Sequence, residues 1–342
     1  MNGVLLKEVY GNISKLLINR PRSFNFCDLF LAQALLSEIL EAKSLNQHLV
    51  LTSSSQKWFC SGADILFYRS NYQEFPQFGI LAYQILKNLY NFPNESLSIW
   101  HGHSVGYGVG LGMSCRYQLA LPSTRWCMPE HHIGIVPNSG TSYFLSHLKD
   151  EAFGLYLFLT NQRISGEDCY FSGISTHYME SGNLASFFTD LKTADSLKNL
   201  IEKYSSEPNK ELSSYLNYKD EINEYFSSPS SIEEILERLK KSNTPFAEQT
   251  VKEITSGCPL SLKIAFKQFQ LGKNRDLFQA IESEYIIDCN LIVHKNENFA
   301  KGVQAKMVER NQGKPSWIPA RLEEVTESII EEHMSIINQL PN

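Results

Sequence analysis

Apolar and polar positions in the first half of the chain switch between two periods. Ile13-Ser14-Lys15-Leu16-Leu17-Ile18 reads as a β-strand closed by Asn19-Arg20-Pro21, because proline cannot continue a ladder. A helical run follows over 28–42, with Leu29, Ala32, Leu36 and Ile39 near helical spacing and Asp28 suited to the N-cap. His48-Leu49-Val50-Leu51-Thr52 returns to strand, and a polar loop, Ser53-Ser54-Ser55, follows it. The pattern then predicts a helix over 78–90, a strand at Leu97-Ser98-Ile99-Trp100, a glycine-rich segment over 101–112, and a strand at Tyr117-Gln118-Leu119-Ala120-Leu121. Strands alternating with helices favour an α/β architecture.

After about Ala185 strand-like runs become rare. Pro229-Ser230-Ser231-Ile232-Glu233-Glu234 holds two overlapping capping boxes, and Ile232, Ile235, Leu236 and Leu239 then fall at i, i+3, i+4 and i+7, a buried stripe. Further helices are predicted over 262–271 and 280–293. The expected organisation is an α/β core over 1–185 and a mainly helical region over 186–342, with no internal repeat and no low-complexity linker.

Composition narrows the function classes. The 342 residues are 42% hydrophobic, enough for a sizeable core. The formal charge is −6 and no basic block is present, so a nucleic-acid partner is not expected. Seven scattered cysteines without a CxxC pair predict reduced thiols, neither a disulfide framework nor a zinc site. No apolar run approaches the ~20 residues of a membrane span. The first residues, MNGVLLKEVYGN, have neither the apolar core of a signal peptide nor the Arg-rich amphipathic character of a transit peptide.

Three segments carry candidate chemistry. In Trp58-Phe59-Cys60-Ser61-Gly62-Ala63-Asp64-Ile65, small residues after a strand can aim a backbone N–H at a ligand; a tight turn capped by Asp64 is the plainer alternative. His101-Gly102-His103-Ser104-Val105-Gly106-Tyr107-Gly108-Val109-Gly110-Leu111-Gly112 follows a strand and opens a helix, an arrangement that presents N–H groups to an anion or simply packs a helix closely. Its glycines do not fit the GxGxxG dinucleotide fingerprint. It also holds a formal GxSxG that would make Ser104 a hydrolase nucleophile, although nothing singles out its acid and histidine partners. In Met128-Pro129-Glu130-His131-His132-Ile133-Gly134-Ile135-Val136-Pro137-Asn138-Ser139-Gly140-Thr141, a carboxylate against apolar surface would have the raised pKa of a general acid or base. Adjacent histidines rarely face one ion and no HExxH is present, so no metal is expected.

FCSGADI, HGHSVGYGVGLG and MPEHHIGIVPNSG, in that order, resemble the three landmarks of the crotonase superfamily. YFLSHL, GLYLFLTNQRISGEDCYFSGISTHYME, CPLSLKIAFKQFQLG, ESEY and FAKGVQAKMVERNQGKPSWIPARLEEVT are similar to stretches of its 3-hydroxyisobutyryl-CoA hydrolases. The similarity runs from Asn19 to about Val325 and is weakest over 186–220. It implies a spiral of repeated ββα units with a helical C-terminal region. It implies hydrolysis of a 3-hydroxyacyl-CoA thioester in valine breakdown, with acyl-CoA as the substrate and no metal or organic cofactor, because thiolate is a good leaving group. By position, the N–H groups of Ala63 and Tyr107 would hold the thioester oxygen, and Glu130 would attack the carbonyl or activate water. A homo-oligomer and a mitochondrial location are compatible with the family; the cytosol is the alternative compartment.

Three positions depart from the family pattern. Asn138 stands where an aspartate lies eight residues after the glutamate, and an amide can neither take a proton nor hold a charge. Gly106-Tyr107-Gly108 replaces three glycines; tyrosine costs roughly 1–2 kcal/mol if the middle position needs a positive φ, and otherwise keeps the N–H while its ring narrows the pocket. Ala82 replaces a glutamate before Tyr83. An acyl-CoA binder or assembly subunit without turnover is therefore the alternative from a different class. A hydratase or isomerase is a third reading, and it lacks the second glutamate, at whose place Gly110 stands.

Overall fold

A computed structural model describes residues 3–295, 297–310 and 313–335. Two compact units are present, each assembled from three stretches of chain. One comprises the described residues of Met1–Ala63, Ile80–Cys127 and Arg163–Asn217; the other those of Asp64–Gly79, Met128–Gln162 and Tyr218–Asn342.

The first unit holds ten strands. They are β1 (Leu5–Tyr10), β2 (Ile13–Ile18), β3 (His48–Ser53), β4 (Trp58–Cys60), β5 (Ser96–Trp100), β6 (His103–Val105), β7 (Tyr117–Ala120), β8 (Arg125–Cys127), β9 (Ile164–Ser165) and β10 (His177–Tyr178). One sheet runs β1-β2-β3-β5-β7-β10 and the other β4-β6-β8-β9. In three successive repeats the first strand (β3, β5, β7) joins the larger sheet and the second (β4, β6, β8) the smaller. Within each sheet these strands pair in parallel, so their C-terminal ends point the same way. The expected strands at 13–18, 48–52, 97–100 and 117–121 are present to within a residue or two, and the helix Leu29–Ser44 is capped by the Asp28 carboxylate, which accepts from the Leu31 N–H. The hairpin partner β1 is an addition to the sequence reading.

The core of this unit buries Ile13, Val50, Leu97, Ile99 and Leu119 together with Phe187, Leu191, Leu197, Leu200 and Ile201. The expected division at 185/186 therefore differs from the observed one. Position 185 lies inside the helix Leu184–Leu191, and that helix and the helix Leu197–Tyr204 bury their apolar faces against the first unit's sheet. Asp168 ties in the segment after them, accepting from the Ser213 and Ser214 hydroxyls and the Tyr215 N–H.

The second unit is built of helices. In Ile232–Lys241 the expected stripe Ile232, Ile235, Leu236 and Leu239 is buried, Ser231 accepts from the Glu234 N–H, and the Glu234 carboxylate accepts from Ser230. The helix Pro259–Gly272 lies so close to Ser142 that a Cβ on Gly272 would come within 2.2 Å of its carbonyl oxygen. The helix Leu277–Cys289 passes into a π-helical turn, Asn290–His294, covering the run expected over 280–293. From Leu184 onward every described element is helical.

Candidate active site

In the first unit, β4 and β6 lie side by side in parallel, Trp58 opposite His103 and Cys60 opposite Ser104. Their C-terminal ends deliver the Ser61-Gly62-Ala63 loop and the Gly106-Tyr107 turn to one place. The Cys27 N–H donates to the Gly62 carbonyl (2.8 Å) in a bridge between Cys27 and Ala63. That bridge uses the carbonyl of Gly62, so the N–H of Ala63 is not spent on the ladder. A Cβ on Gly62 would sit 3.5 Å from the Tyr107 nitrogen, which measures how closely the two loops approach.

Tyr107 is the first residue of the helix Tyr107–Met113. The positive φ of this turn belongs to Gly106 (54°), so tyrosine in the middle position carries no left-handed strain. Gly108 is needed for close approach: a Cβ there would lie 2.2 Å from the Cys60 carbonyl oxygen. The Tyr107 ring is buried, and its hydroxyl donates to the Ala82 carbonyl at 3.2 Å. Burial pushes the phenol well above its ordinary value, with Cys27 and Cys60 beside it adding to the effect. Ala63, Tyr107, Gly108 and Ala82 are thus gathered in one neighbourhood, with Ala82 meeting Tyr107 through its backbone.

The formal GxSxG is not a nucleophile elbow. Ser104 sits in the middle of β6, two residues before the turn, fully buried, and its hydroxyl has no hydrogen-bond partner among the described residues. A nucleophile elbow requires the serine at an exposed strand-to-helix corner.

In the second unit, Glu130 opens a 3-10 turn, Glu130–Ile133, closed by Gly134 in the left-handed region. Its side chain is buried, and Oε2 has no hydrogen-bond partner among the described residues. Burial pushes its carboxyl up to about 8; a backbone hydrogen bond opposes this, and the Asp288 and Glu284 carboxylates add to it by repulsion. His131, next to it, is fully buried and held well below its usual range by burial. His132 is lowered to about 4, mainly by burial, and meets the Ser256 hydroxyl at 2.8 Å. The two histidines are neutral packing groups at neutral pH. Among the described residues no group of three or more His, Cys, Asp or Glu side chains is placed to hold a metal ion.

Asn138 follows on the same loop. Its Nδ2 donates to Asp288 Oδ2 (2.9 Å), and its Oδ1 accepts from the Ser139 hydroxyl (2.7 Å). Ser139 itself has φ 64°, a left-handed conformation unusual for serine, and Gly140 has φ 83°. The loop is held there by Glu284. One of its oxygens accepts from the Gly140 N–H (2.5 Å), the other from the Ser142 N–H (3.1 Å) and hydroxyl (2.6 Å). Burial raises the Glu284 carboxyl to about 7 against the pull of these donors.

Glu284 and Asp288 were not among the expected site residues. Both lie on the helix Leu277–Cys289, one turn apart, on the buried face that also carries Ile281 and Ile287. Two acids at i and i+4, falling on the helical stripe set by Leu277, Ala280, Ile281 and Ile287, were the available signal, since a buried carboxylate needs a partner to justify its desolvation.

The fold is that of a crotonase. A family model described as enoyl-CoA hydratase/isomerase matches residues 13–334, and the chain belongs to that family. Its resemblance to the 3-hydroxyisobutyryl-CoA hydrolases holds over nearly the full length. It is 30% identical to the mitochondrial 3-hydroxyisobutyryl-CoA hydrolase of Xenopus laevis over 347 residues (96% of this chain, 88% of that one) and 28% identical to the human enzyme over 343 residues (96% and 88%). Among solved structures, a carnitinyl-CoA dehydratase from Mycobacterium thermoresistibile superposes with a TM-score of 0.90 at 22% identity, covering 98% of both chains. An enoyl-CoA hydratase from Rhodobacter sphaeroides superposes with a TM-score of 0.88 at 21% identity, again covering 98% of both. These likenesses bear out the expected crotonase fold. No described helix is long and apolar enough to cross a membrane.

Proposed function

We propose that this chain hydrolyses the thioester of a short 3-hydroxyacyl-CoA, with 3-hydroxyisobutyryl-CoA the first candidate, to the free acid and CoA. The observation that carries the reading is Glu130, a buried carboxylate with one oxygen free of hydrogen bonds among the described residues and a pKa raised to about 8. Such a group is a poor acid-stabilised ornament and a good base or nucleophile once ionised. Two routes balance. The carboxylate adds to the thioester carbon, CoA thiolate departs and water cleaves the resulting anhydride; or Glu130 takes a proton from water as its oxygen adds to that carbon, and thiolate departs carrying the electron pair of the C–S bond. In either, the Ala63 and Tyr107 N–H groups are assigned to the oxyanion. The same resemblance makes valine breakdown the pathway and the mitochondrion the compartment to test by fractionation.

Thiol release from 3-hydroxyisobutyryl-CoA, followed with a thiol-reactive dye, tests the proposal. Steady release by the native chain that Glu130→Gln lacks supports it, and equal release by both sinks it. The resemblance also favours a second reading, because Asn138 puts an amide where the family pattern implies a carboxylate. If the chain binds CoA thioesters without releasing thiol, it is an acyl-CoA binder on the crotonase scaffold.

A further inference from the structure

Resting on the hydrolase reading, we infer that Asp288 is a positioning residue of the reaction: from the helix Leu277–Cys289 it supplies the carboxylate that position 138 lacks, fixing the Asn138 amide and placing negative charge near Glu130.

An amide at position 138 cannot hold a charge. The charge has not left the neighbourhood. Asp288 Oδ2 lies 2.9 Å from Asn138 Nδ2, the two ends being 150 residues apart in sequence. A carboxylate only accepts hydrogen bonds, so the amide must turn its NH2 group toward Asp288. The Ser139 hydroxyl donates to the other end. With both ends held, the amide has one orientation, and one N–H and one oxygen lone pair remain for water or substrate.

Packing alone does not account for an acid here. Asp288 is 1% exposed, on a helix that buries Ile281, Ile287 and Cys289. Removing a carboxylate from water costs several kcal/mol, and an apolar residue would fill the place at lower cost. Glu284 differs in that its oxygens are committed to the Gly140 and Ser142 backbone, whereas Asp288 holds a side chain of the site. Its charge reaches Glu130, whose ionisation it disfavours. A base held back in this way is stronger once ionised.

Other titratable groups share this environment, among them Lys306, whose charge acts on His132. Glu284 acts on it in the same sense and is itself faced by Arg275. His131 and His132 share its turn and are neutral. The helix Glu297–Val303, which packs on that turn, carries the ion pair Lys301–Glu297 at 2.8 Å.

The test compares native chain, Asp288→Asn, Asn138→Asp and the exchange variant Asn138→Asp/Asp288→Asn. Two readouts are taken: the pH profile of kcat/KM for thiol release, and the carboxyl 13C titration of Glu130, assigned with Glu130→Gln. Asp288→Asn should lower the Glu130 midpoint by roughly half a unit or more. It should cut kcat about tenfold or more, the change expected from one hydrogen bond to a charged group. Asn138→Asp alone opposes two carboxylates and should be worse; the exchange variant restores a carboxylate–amide pair and should recover most of the rate. If Asp288→Asn does not fold, the exchange variant against Asn138→Asp decides. An unmoved Glu130 titration in a folded Asp288→Asn, or no recovery on exchange, overturns the inference. If the native chain releases no thiol, the hydrolase reading fails; the NMR titration then still decides whether Asp288 sets the charge state of Glu130.

Discussion

The two halves of the candidate chemistry are built from different materials. Around Ala63 and Tyr107 the candidate groups are main-chain amides, placed by parallel strands β4 and β6 and by glycines that let backbone approach backbone. Around Glu130 they are carboxylates and an amide, placed by side-chain hydrogen bonds from the helix Leu277–Cys289. A backbone site tolerates a change of side chain as long as the chain path is kept, so tyrosine at 107 is accommodated without a positive φ. A side-chain site does not, because each carboxylate is coupled to its neighbours by charge. The amide of Asn138 carries no charge, and Asp288, 2.9 Å from it, is placed to supply one to the same network.

The contrast breaks most sharply at Glu130. Glu130→Gln should lower thiol release by about 10²–10⁴-fold, the usual worth of a general base. In the native chain the rate should rise with pH toward a midpoint of about 8, because only the ionised carboxylate reacts. Stability runs the other way. The folded state keeps protons on Glu130 and Glu284 up to about 8 and about 7, while the unfolded chain loses them near 4.5. Stability that is present below 4.5 is therefore lost progressively as pH rises through that window. Glu130→Gln removes its share, so the variant should gain in Tm over the native chain as pH goes from 6 to 9. A gap that shrinks with pH would count against the raised pKa.

Next in size is Glu284→Ala. It strips the acceptor from two backbone N–H groups and a hydroxyl in a buried loop that already holds Ser139 at φ 64°. At about 1–3 kcal/mol for each orphaned donor, a loss of roughly 3 kcal/mol or more is expected in urea melts. A loss below about 1 kcal/mol would show that water replaces the carboxylate and that the loop does not depend on it.

On the backbone side, the matching break is Gly108→Ala. Its Cβ would meet the Cys60 carbonyl oxygen at 2.2 Å, and backbone cannot swing aside as a flexible side chain can. About 1–3 kcal/mol of stability should be lost, with a fall in thiol release because the helix start that carries the Tyr107 N–H must shift. Lost stability with full activity would separate the helix position from the oxyanion role.

How much of this the sequence shows follows the same division. Strands, glycine turns and caps are local, so Ile13–Ile18, the Asp28 cap and the Ser231 cap are readable from a few neighbouring residues. Gly62, Gly106 and Glu130 stand in recognisable order along the chain. The partnership of Asn138 with Asp288 spans 150 residues and belongs to packing, which no local pattern encodes. The division into units failed to show for a related reason. Phe187 and Leu191 look like any helical stripe, and only the sheet they cover tells that they belong with β3 and β5.

The smallest effect should come from Tyr107→Phe, and it is the finest test of the contrast. The substitution keeps the main chain and the ring and deletes one hydroxyl, whose bond to the Ala82 carbonyl is 3.2 Å long and buried. A neutral hydrogen bond of this kind contributes about 1 kcal/mol, and the ring stays in place to fill the space. A small drop in Tm is expected, with a change in thiol release far below that of Glu130→Gln, since the N–H assigned to the oxyanion is untouched. A rate loss approaching the Glu130→Gln value would mean that the hydroxyl itself, through the helix carrying Ala82, positions the reacting groups. The backbone groups of the first unit would then depend on side-chain chemistry as much as the groups around Glu130 do.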